Sequence, residues 1–399
     1  MSKKTWTLAS SAGVALLVSS PVQAAAWDDW SISPLSGSIG DLNYSVGGQV
    51  YGSAYWANQP SAPGLDQSGV TGAASVNARL ERDYDSGLSL ALKSTLEIYH
   101  DQLSGDNYGS DLVQKVYGSV QTGLGRVDVG MSDGAAYALS IVGPTVNPEV
   151  TIDNSNATFF RDPTTARAFP NIFALNSAVE SSLNYAKVSY FSPRLFGVQV
   201  AGSFTPSQGK DVLPFLNSGP HVANRQTDMW EAAINYSNTF GQLTLGLYGG
   251  LIVGHNAAKT LGHKGLTDWG VGSELDWSIN DDVKWSFGGA YRKTDTYAFD
   301  IDNALAGGDT QSLHLSTTVS YGSWSAGFEF GNGRSDGFLG APTLGTHGLL
   351  VDAAYAVNSN LQLSVGWEKL NYSRSTGIFY NGAPVIGMDA GFLHAVLNI

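Results

Sequence analysis

The sequence predicts an all-β fold, a 16-stranded antiparallel transmembrane β-barrel with a long third loop folded inward. Three observations lead to this prediction. Apolar and polar residues alternate with a period of two along segment after segment, and the connections between the segments are alternately short and long. No apolar run outside the N-terminus approaches the roughly 20 residues that a transmembrane helix needs.

Residues 1–24 have the features of a secretory signal peptide. Lys3 and Lys4 give a positively charged start, and the apolar stretch 12–18 is followed by small residues before the expected cleavage point. We therefore expect an exported chain in which residues 25–399 form one barrel domain.

Composition excludes several functions. The net charge of −13 argues against a nucleic-acid partner, which would need a basic surface to neutralise phosphates. The absence of cysteine excludes thiolate metal sites and cysteine nucleophiles. Mean hydropathy is near zero, which a membrane protein reaches when each spanning segment is apolar on one face and polar on the other. We expect no cofactor and no bound metal.

The first segment, residues 43–56, shows the alternation well. Its even positions include Tyr44, Val46 and Val50, whereas Asn43 and Ser45 begin the polar series. Successive side chains of a strand point to opposite faces, so this segment has one apolar and one polar face. Sixteen such segments follow one another, and an even number suits a bacterial barrel with both termini in the periplasm.

The connections separate the two ends of the barrel. The short ones are rich in Gly, Asn and Asp, residues that tolerate the positive φ of tight hairpins. They lie at 83–87, 122–125, 193–194, 238–241, 280–282, 322–323 and 358–360. Long connections such as 206–227 and 373–387 alternate with them. Short turns on one side and long loops on the other are typical of outer-membrane barrels.

Tryptophan positions support lipid contact. All seven tryptophans of the predicted strands fall on the apolar face, and most lie near a strand end, where an aromatic girdle would meet the lipid headgroups. They are Trp56, Trp230, Trp269, Trp277, Trp285, Trp324 and Trp367.

One connection, residues 133–181, is far longer than the others. It lies between predicted strand 5 (126–132) and predicted strand 6 (182–192). Its prolines, apolar residues and mixed charges are unlike the composition of a disordered segment. We interpret it as a loop that folds inward and packs against the barrel wall.

Two hairpins that flank this loop carry a specific resemblance. Lys115-Val116-Tyr117-Gly118-Ser119-Val120-Gln121-Thr122-Gly123-Leu124-Gly125-Arg126-Val127-Asp128-Val129-Gly130 precedes it, and the stretch from Tyr190-Phe191-Ser192-Pro193 to Phe204-Thr205-Pro206 follows it. Both resemble characteristic hairpins of the Gram-negative general porins. The resemblance implies a homotrimeric outer-membrane barrel whose third loop forms a constriction for passive diffusion of small hydrophilic solutes and ions. One departure is Ile399, where family members commonly end in phenylalanine.

In that family, acidic residues of the loop face basic residues of the wall across the narrowest point. Such opposed charges would order water and sort solutes by charge. The basic candidates here are Arg79, Lys93, Lys115 and Lys187. The acidic candidates are Glu81, Glu97, Glu149, Asp153 and Asp162. For each residue alone, the alternative is a solvated charge of the lumen or of a loop.

Alternative functions remain open at this point. A substrate-selective channel, specific for sugars, anions or cations, is the nearest alternative. A sugar-specific barrel would use more strands and an aromatic track along the lumen, but few aromatic residues face inward here. An outer-membrane β-barrel enzyme would need a histidine beside a serine or an acid, and the seven histidines are scattered. The acidic stretch 300–309 could hold calcium, but its spacing favours a surface loop.

The outward residues of predicted strands 1–5 and 16 are small and apolar, whereas six of the seven strand tryptophans lie from Trp230 onward. Small residues allow two barrel walls to approach closely, and a girdle suits lipid. We therefore expect strands 1–5 and 16 to form the subunit interface.

Overall fold

The computed structural model describes residues 31–60, 67–100, 113–153, 159–160, 175–207, 226–256, 265–295, 309–336, 343–374 and 385–399. Three sequence expectations lie outside the described residues. They are the signal peptide at 1–24, residues 300–308 of the acidic stretch considered for calcium, and the acidic candidate Asp162. Among the described residues, no helix is long and apolar enough to cross a membrane.

The described residues form seventeen strands and one short helix. The strands are β1 (Leu35–Ile39), β2 (Leu42–Asn58), β3 (Ser68–Asp83), β4 (Ser89–His100), β5 (Val113–Thr122), β6 (Gly125–Met131), β7 (Ala186–Phe191), β8 (Val198–Ser207), β9 (Gln226–Phe240), β10 (Leu243–Asn256), β11 (Leu266–Ser278), β12 (Val283–Thr294), β13 (Thr310–Tyr321), β14 (Trp324–Ser335), β15 (Leu344–Ala356), β16 (Leu361–Arg374) and β17 (Val385–Asn398); the helix is α1 (Ala135–Ala138).

Sixteen of these strands close into an antiparallel barrel. Each strand from β2 to β17 pairs with its neighbours in sequence, and β17 pairs with β2 from Asn398↔Gln49 to Asp389↔Asn58. The predicted strands 1 to 16 therefore correspond to β2 to β17, and the predicted 16-stranded barrel is confirmed. Closure leaves no long unpaired edge, which an open sheet in a membrane would have.

Strand β1 was not predicted, and it pairs with the lower part of β2 from Leu35↔Val46 to Ile39↔Leu42. Strand β17 ends opposite Gln49, so the first residues of β2 would otherwise lack a partner on that side. The backbone of β1 supplies it, which satisfies polar groups that would be costly to leave unpaired. A two-residue turn with Gly40 at φ 61° joins the two strands.

The apolar face of the barrel is exposed. The seven strand tryptophans are between 38% and 59% exposed, which places all of them on the outer face as predicted. Short turns also follow the prediction. Gly241 and Gly322 adopt φ of 63° and 56° in the tight turns after β9 and β13, a conformation that favours glycine.

The long connection is longer in the structure than in the prediction. Because β6 ends at Met131 and β7 begins at Ala186, the connection spans residues 132–185. The predicted start of strand 6, residues 182–185, forms a turn instead. Leu183 has a φ of 44° there, which does not belong to a strand.

Candidate functional site

The described part of the long connection packs against the polar face of the wall. Its backbone N–H groups donate to carboxylates of that wall at several points. Ala136 donates to Glu231 on β9 (3.0 Å), and Ile152 donates to Glu329 on β14 (3.0 Å). Ser181 donates to Asp268 on β11 (3.3 Å). These wall residues alternate with exposed apolar neighbours, so the connection lies on the face opposite to the tryptophans.

Glycines on the wall make room for the connection. A Cβ atom on Gly272 would lie 1.8 Å from the backbone oxygen of Ile141, and one on Gly331 would lie 2.4 Å from Cγ2 of Ile152. Since real Cβ atoms do not approach so closely, larger residues at these positions would displace the connection. The glycines of β11 and β14 therefore determine where it packs.

The two ends of the connection meet at one buried ion pair. Lys187 on β7 lies 3.9 Å from Glu231, and both side chains are fully buried. The Lys187 ammonium donates to the hydroxyl of Ser182 (2.7 Å) at the end of the connection. Glu231 accepts the N–H of Ala136 at its beginning. The pair thus holds both ends of the connection next to each other.

The middle of the connection is held by buried polar groups of β13 to β16. Asn147 donates to Asp352 (2.5 Å), and its amide oxygen accepts from Ser364 (2.5 Å). Glu329 accepts from Thr151 and from Ile152. The sequence alone did not predict these anchors. The isolated acids Glu329 and Asp352 on the polar faces of β14 and β15 could have indicated them.

Two predicted basic residues lie on a part of the wall that the connection does not contact through any hydrogen bond among the described residues. Arg79 on β3 and Lys93 on β4 are directly opposite each other in the sheet. Arg79 forms an ion pair with the predicted Glu81 and remains 39% exposed. The Lys93 ammonium lies 5.6 Å from the ring centre of Tyr117. Among the described residues, no carboxylate is within ion-pair distance of Lys93.

The other two predicted basic residues are bound to the ends of the connection. Lys115 on β5 lies 2.8 Å from Asp133, and Lys187 is the buried partner of Glu231. The basic candidates therefore fall into two groups. Arg79 and Lys93 have no hydrogen bond to the described part of the connection, whereas Lys115 and Lys187 are bonded to its ends.

The predicted acidic residues are spread over the wall and the connection. Glu97 on β4 accepts from Gln114 (2.6 Å). Glu149 accepts from Gln49 (2.8 Å) and lies 3.8 Å from Nε2 of His394. Asp153 is buried and accepts from the backbone N–H of Ser177 (2.7 Å) within the connection. Glu149 thus contacts β2, the strand that pairs with the β3 strand of Arg79.

Burial raises the pKa of two acids of the connection. Burial raises the pKa of Asp153, and hydrogen bonds from Ser177 oppose that shift. Burial also raises the pKa of Glu180 to about 7, whereas the nearby Arg292 guanidinium pulls it in the other direction. Both carboxyl groups are therefore easier to protonate than exposed acids.

No group of three or more His, Asp or Glu side chains among the described residues has the arrangement of a metal site. The buried Asp268 is paired instead with a protein donor. Asp268 accepts from Arg292 through two nitrogens (2.8 and 2.7 Å), which is the bidentate geometry of a strong ion pair.

The sequence model of the family described as Gram-negative porin matches residues 9–376. A search of the curated proteins finds no significant match.

Solved structures of outer-membrane proteins share the fold. OmpF of Salmonella typhi, in complex with daunomycin, is 12% identical with a TM-score of 0.59, covering 92% of this chain and 100% of that chain. The anion-selective porin from Comamonas acidovorans is 12% identical with a TM-score of 0.55, covering 90% of this chain and 100% of that chain. The trimer form of OmpT from Vibrio cholerae is 12% identical with a TM-score of 0.53, covering 90% and 99%. At this identity the likeness establishes the fold alone.

Proposed function

This chain belongs to the Gram-negative porin family and forms an outer-membrane channel for passive diffusion, and we propose that the long connection folds into the lumen and narrows it. Hydrogen bonds from the connection to Glu231, Asp268 and Glu329 on the polar face support this proposal. The wall around Arg79 and Lys93 is left as the accessible side of the passage. Small hydrophilic solutes and ions would cross between this wall and the connection.

The charges of the passage would then discriminate among solutes. Arg79, Lys93 and Lys115 contribute positive charge on β3 to β5, and Glu81 and Glu97 contribute negative charge on the same strands. Glu149, Asp153 and Asp162 of the long connection complete the proposed constriction, and Lys187 contributes by holding the end of the connection through its buried pair with Glu231. Opposite charges close to a narrow aqueous passage act strongly on ions because water is scarce there.

Single-channel recording in planar bilayers tests this function. The purified protein is expected to produce discrete conductance steps, and its reversal potential in a salt gradient measures ion selectivity. Neutralising the acids of the connection by Glu149→Gln, Asp153→Asn and Asp162→Asn should shift the permeability ratio toward anions. Of the two structurally described substitutions, Glu149→Gln should have the larger effect because Asp153 is bonded to Ser177 inside the connection. An unchanged ratio would refute the assignment of these acids to the constriction.

We also propose a homotrimer whose interface is formed by β2–β6 and β17, the predicted strands 1–5 and 16. The OmpT structure is a trimer, and the outward faces of these strands carry small residues such as Gly118. A Cβ on Gly118 would meet no other atom of this chain within 4 Å. Gly118→Trp should therefore leave the barrel folded but dissociate the trimer.

Gly249→Trp on the outward face of β10 is the matched control, and it should leave the trimer intact because lipid accommodates the ring. Analytical ultracentrifugation in mild detergent measures both variants. A trimer of Gly118→Trp as stable as the control would place the interface elsewhere, and a monomeric wild type would contradict the trimer itself.

A further inference from the structure

His314 lies on the polar face of β13, fully buried beneath the long connection. Its Nδ1 atom is 2.6 Å from the carbonyl oxygen of Val142, and its Nε2 atom is 3.3 Å from a carboxylate oxygen of Glu329. Nothing in the diffusion of solutes calls for a buried histidine at this position.

Both ring nitrogens of His314 face groups that accept hydrogen bonds. A carbonyl oxygen cannot donate, and an ionised carboxylate cannot donate either. A neutral imidazole has only one N–H, so it could satisfy only one of the two contacts. The geometry therefore requires an additional proton on the His314–Glu329 pair, held either as an imidazolium or as a protonated carboxyl.

The pair links two separate points of the long connection. Through Nδ1, His314 holds the carbonyl of Val142. Through Glu329, it is linked to the N–H of Ile152 and to the hydroxyl of Thr151. The proton shared by His314 and Glu329 therefore attaches two points of the connection, residues 142 and 152, to the neighbouring strands β13 and β14.

The acidic side chains around His314 and Glu329 favour the presence of this shared proton. Asp153 of the connection and Glu329 of β14 both act on His314 electrostatically, and Glu329 in turn acts on Asp352 of β15 and Glu368 of β16. Among the described residues, His314 is the sole ion-pair partner of Glu329. Without the proton, the Glu329 carboxylate would face an imidazole lone pair, with Asp153 close enough to act on the same ring.

We propose that His314 is a positioning residue, whose shared proton with Glu329 holds segment 142–152 of the long connection against the wall and so sets the width of the passage. This inference rests on the proposed narrowing of the lumen by the connection. Loss of the proton to the buffer at high pH would release Val142 or leave Glu329 unpaired, and the segment would move more freely into and out of the passage.

Single-channel conductance and open-channel noise, measured from about pH 6 to about pH 10, test the proposal. The wild type is expected to show a rise of roughly 1.5-fold in noise or conductance on the alkaline side. His314→Gln should show the altered value at all pH values, because its amide does not titrate. The matched control is His347→Gln, since His347 is an exposed histidine of β15, and it should keep the wild-type profile.

Glu329→Gln provides a second test that remains informative if His314→Gln does not fold. Its amide oxygen can still accept from Ile152, but it cannot share a proton with His314, so the alkaline step should disappear. A wild type without a pH step, or a step that persists in either variant, would overturn the role of His314. Absence of any conductance would instead contradict the channel function itself.

Discussion

The two sides of the lumen wall are built differently. On β7 to β17, glycines and buried acids hold the long connection, and polar groups such as Asp268 and Glu329 are bonded to it. On β3 and β4, Arg79 and Lys93 face the lumen without hydrogen bonds from the described connection. We therefore expect the same alternating pattern to serve two purposes, attachment of the connection on one side and contact with solutes on the other. Variants on each side should separate these purposes.

The largest expected effect is on the packed side. In Gly272→Val, the new side chain would collide with the backbone of Ile141, where even a Cβ would lie 1.8 Å from the oxygen. The strand pairing of β11 needs no change, so the barrel should fold while the connection is displaced. Single-channel conductance should rise by roughly twofold.

Gly249→Val is the control for this substitution, because a Cβ there would have an ordinary distance of 3.7 Å to Ile234. Its conductance should equal that of the wild type. If both glycine variants conduct alike, the connection does not limit the current.

The next effect compares a buried ion pair with an exposed one. Lys187→Met leaves Glu231 buried without a charged partner, which typically costs about 3–5 kcal/mol. Lys284→Met removes the partner of Asp276, but the Lys284 side chain is 50% exposed, and such pairs contribute about 0–1 kcal/mol. Urea unfolding in detergent should show a much lower midpoint for Lys187→Met. Equal midpoints would mean that the buried pair does not hold the ends of the connection.

Ion selectivity should be more sensitive on the accessible side. Lys93→Gln removes a charge that has no described ion-pair partner, and the ratio of anion to cation permeability should fall by about two- to fivefold. Lys369→Gln removes the same charge from β16, where Lys369 alternates with the buried Glu368 and so points outward. Reversal potentials in a salt gradient should change for Lys93→Gln and not for Lys369→Gln.

The smallest effect concerns the pH dependence of stability. Burial raises the pKa of Glu180 to about 7, whereas an unfolded glutamate titrates near about 4.3. Between these values the folded chain binds more protons than the unfolded chain, so stability falls as the pH rises from about 4.3 to about 7 and then levels off. Glu180→Gln should remove this part of the decline. Thermal melting in detergent across that range measures it, and an identical decline in the variant would contradict the assignment.

The sequence predicted the barrel because the period of two and the alternating loop lengths are local signals. Trp277, Trp285 and Trp324 could be assigned to the outer face by counting alone. Strand β1 was not predicted because it pairs with the part of β2 that β17 leaves uncovered. The end of β17 is more than 300 residues away from β1 in the chain. Local patterns contain no information about where the last strand stops.

The site was predicted less completely for a similar reason. Parity assigned Arg79 and Lys93 to the polar face, but it could not distinguish them from Lys187, which is buried with Glu231. That distinction depends on where the long connection packs, and the connection itself has no periodic pattern. The anchors His314 and Asp352 likewise become recognisable only when Val142 and Asn147 are placed beside them.

The central claim is that one face of each strand encloses water and the other meets lipid. Because the chain has no cysteine, single cysteines at neighbouring positions of β4 test it directly. Lys93→Cys should react with a charged thiosulfonate reagent added to an open channel, and the current should fall as the lumen is modified. Leu92→Cys, one residue away and 54% exposed on the outer face, should leave the current unchanged. A current that responds at position 92 and not at position 93 would contradict the account.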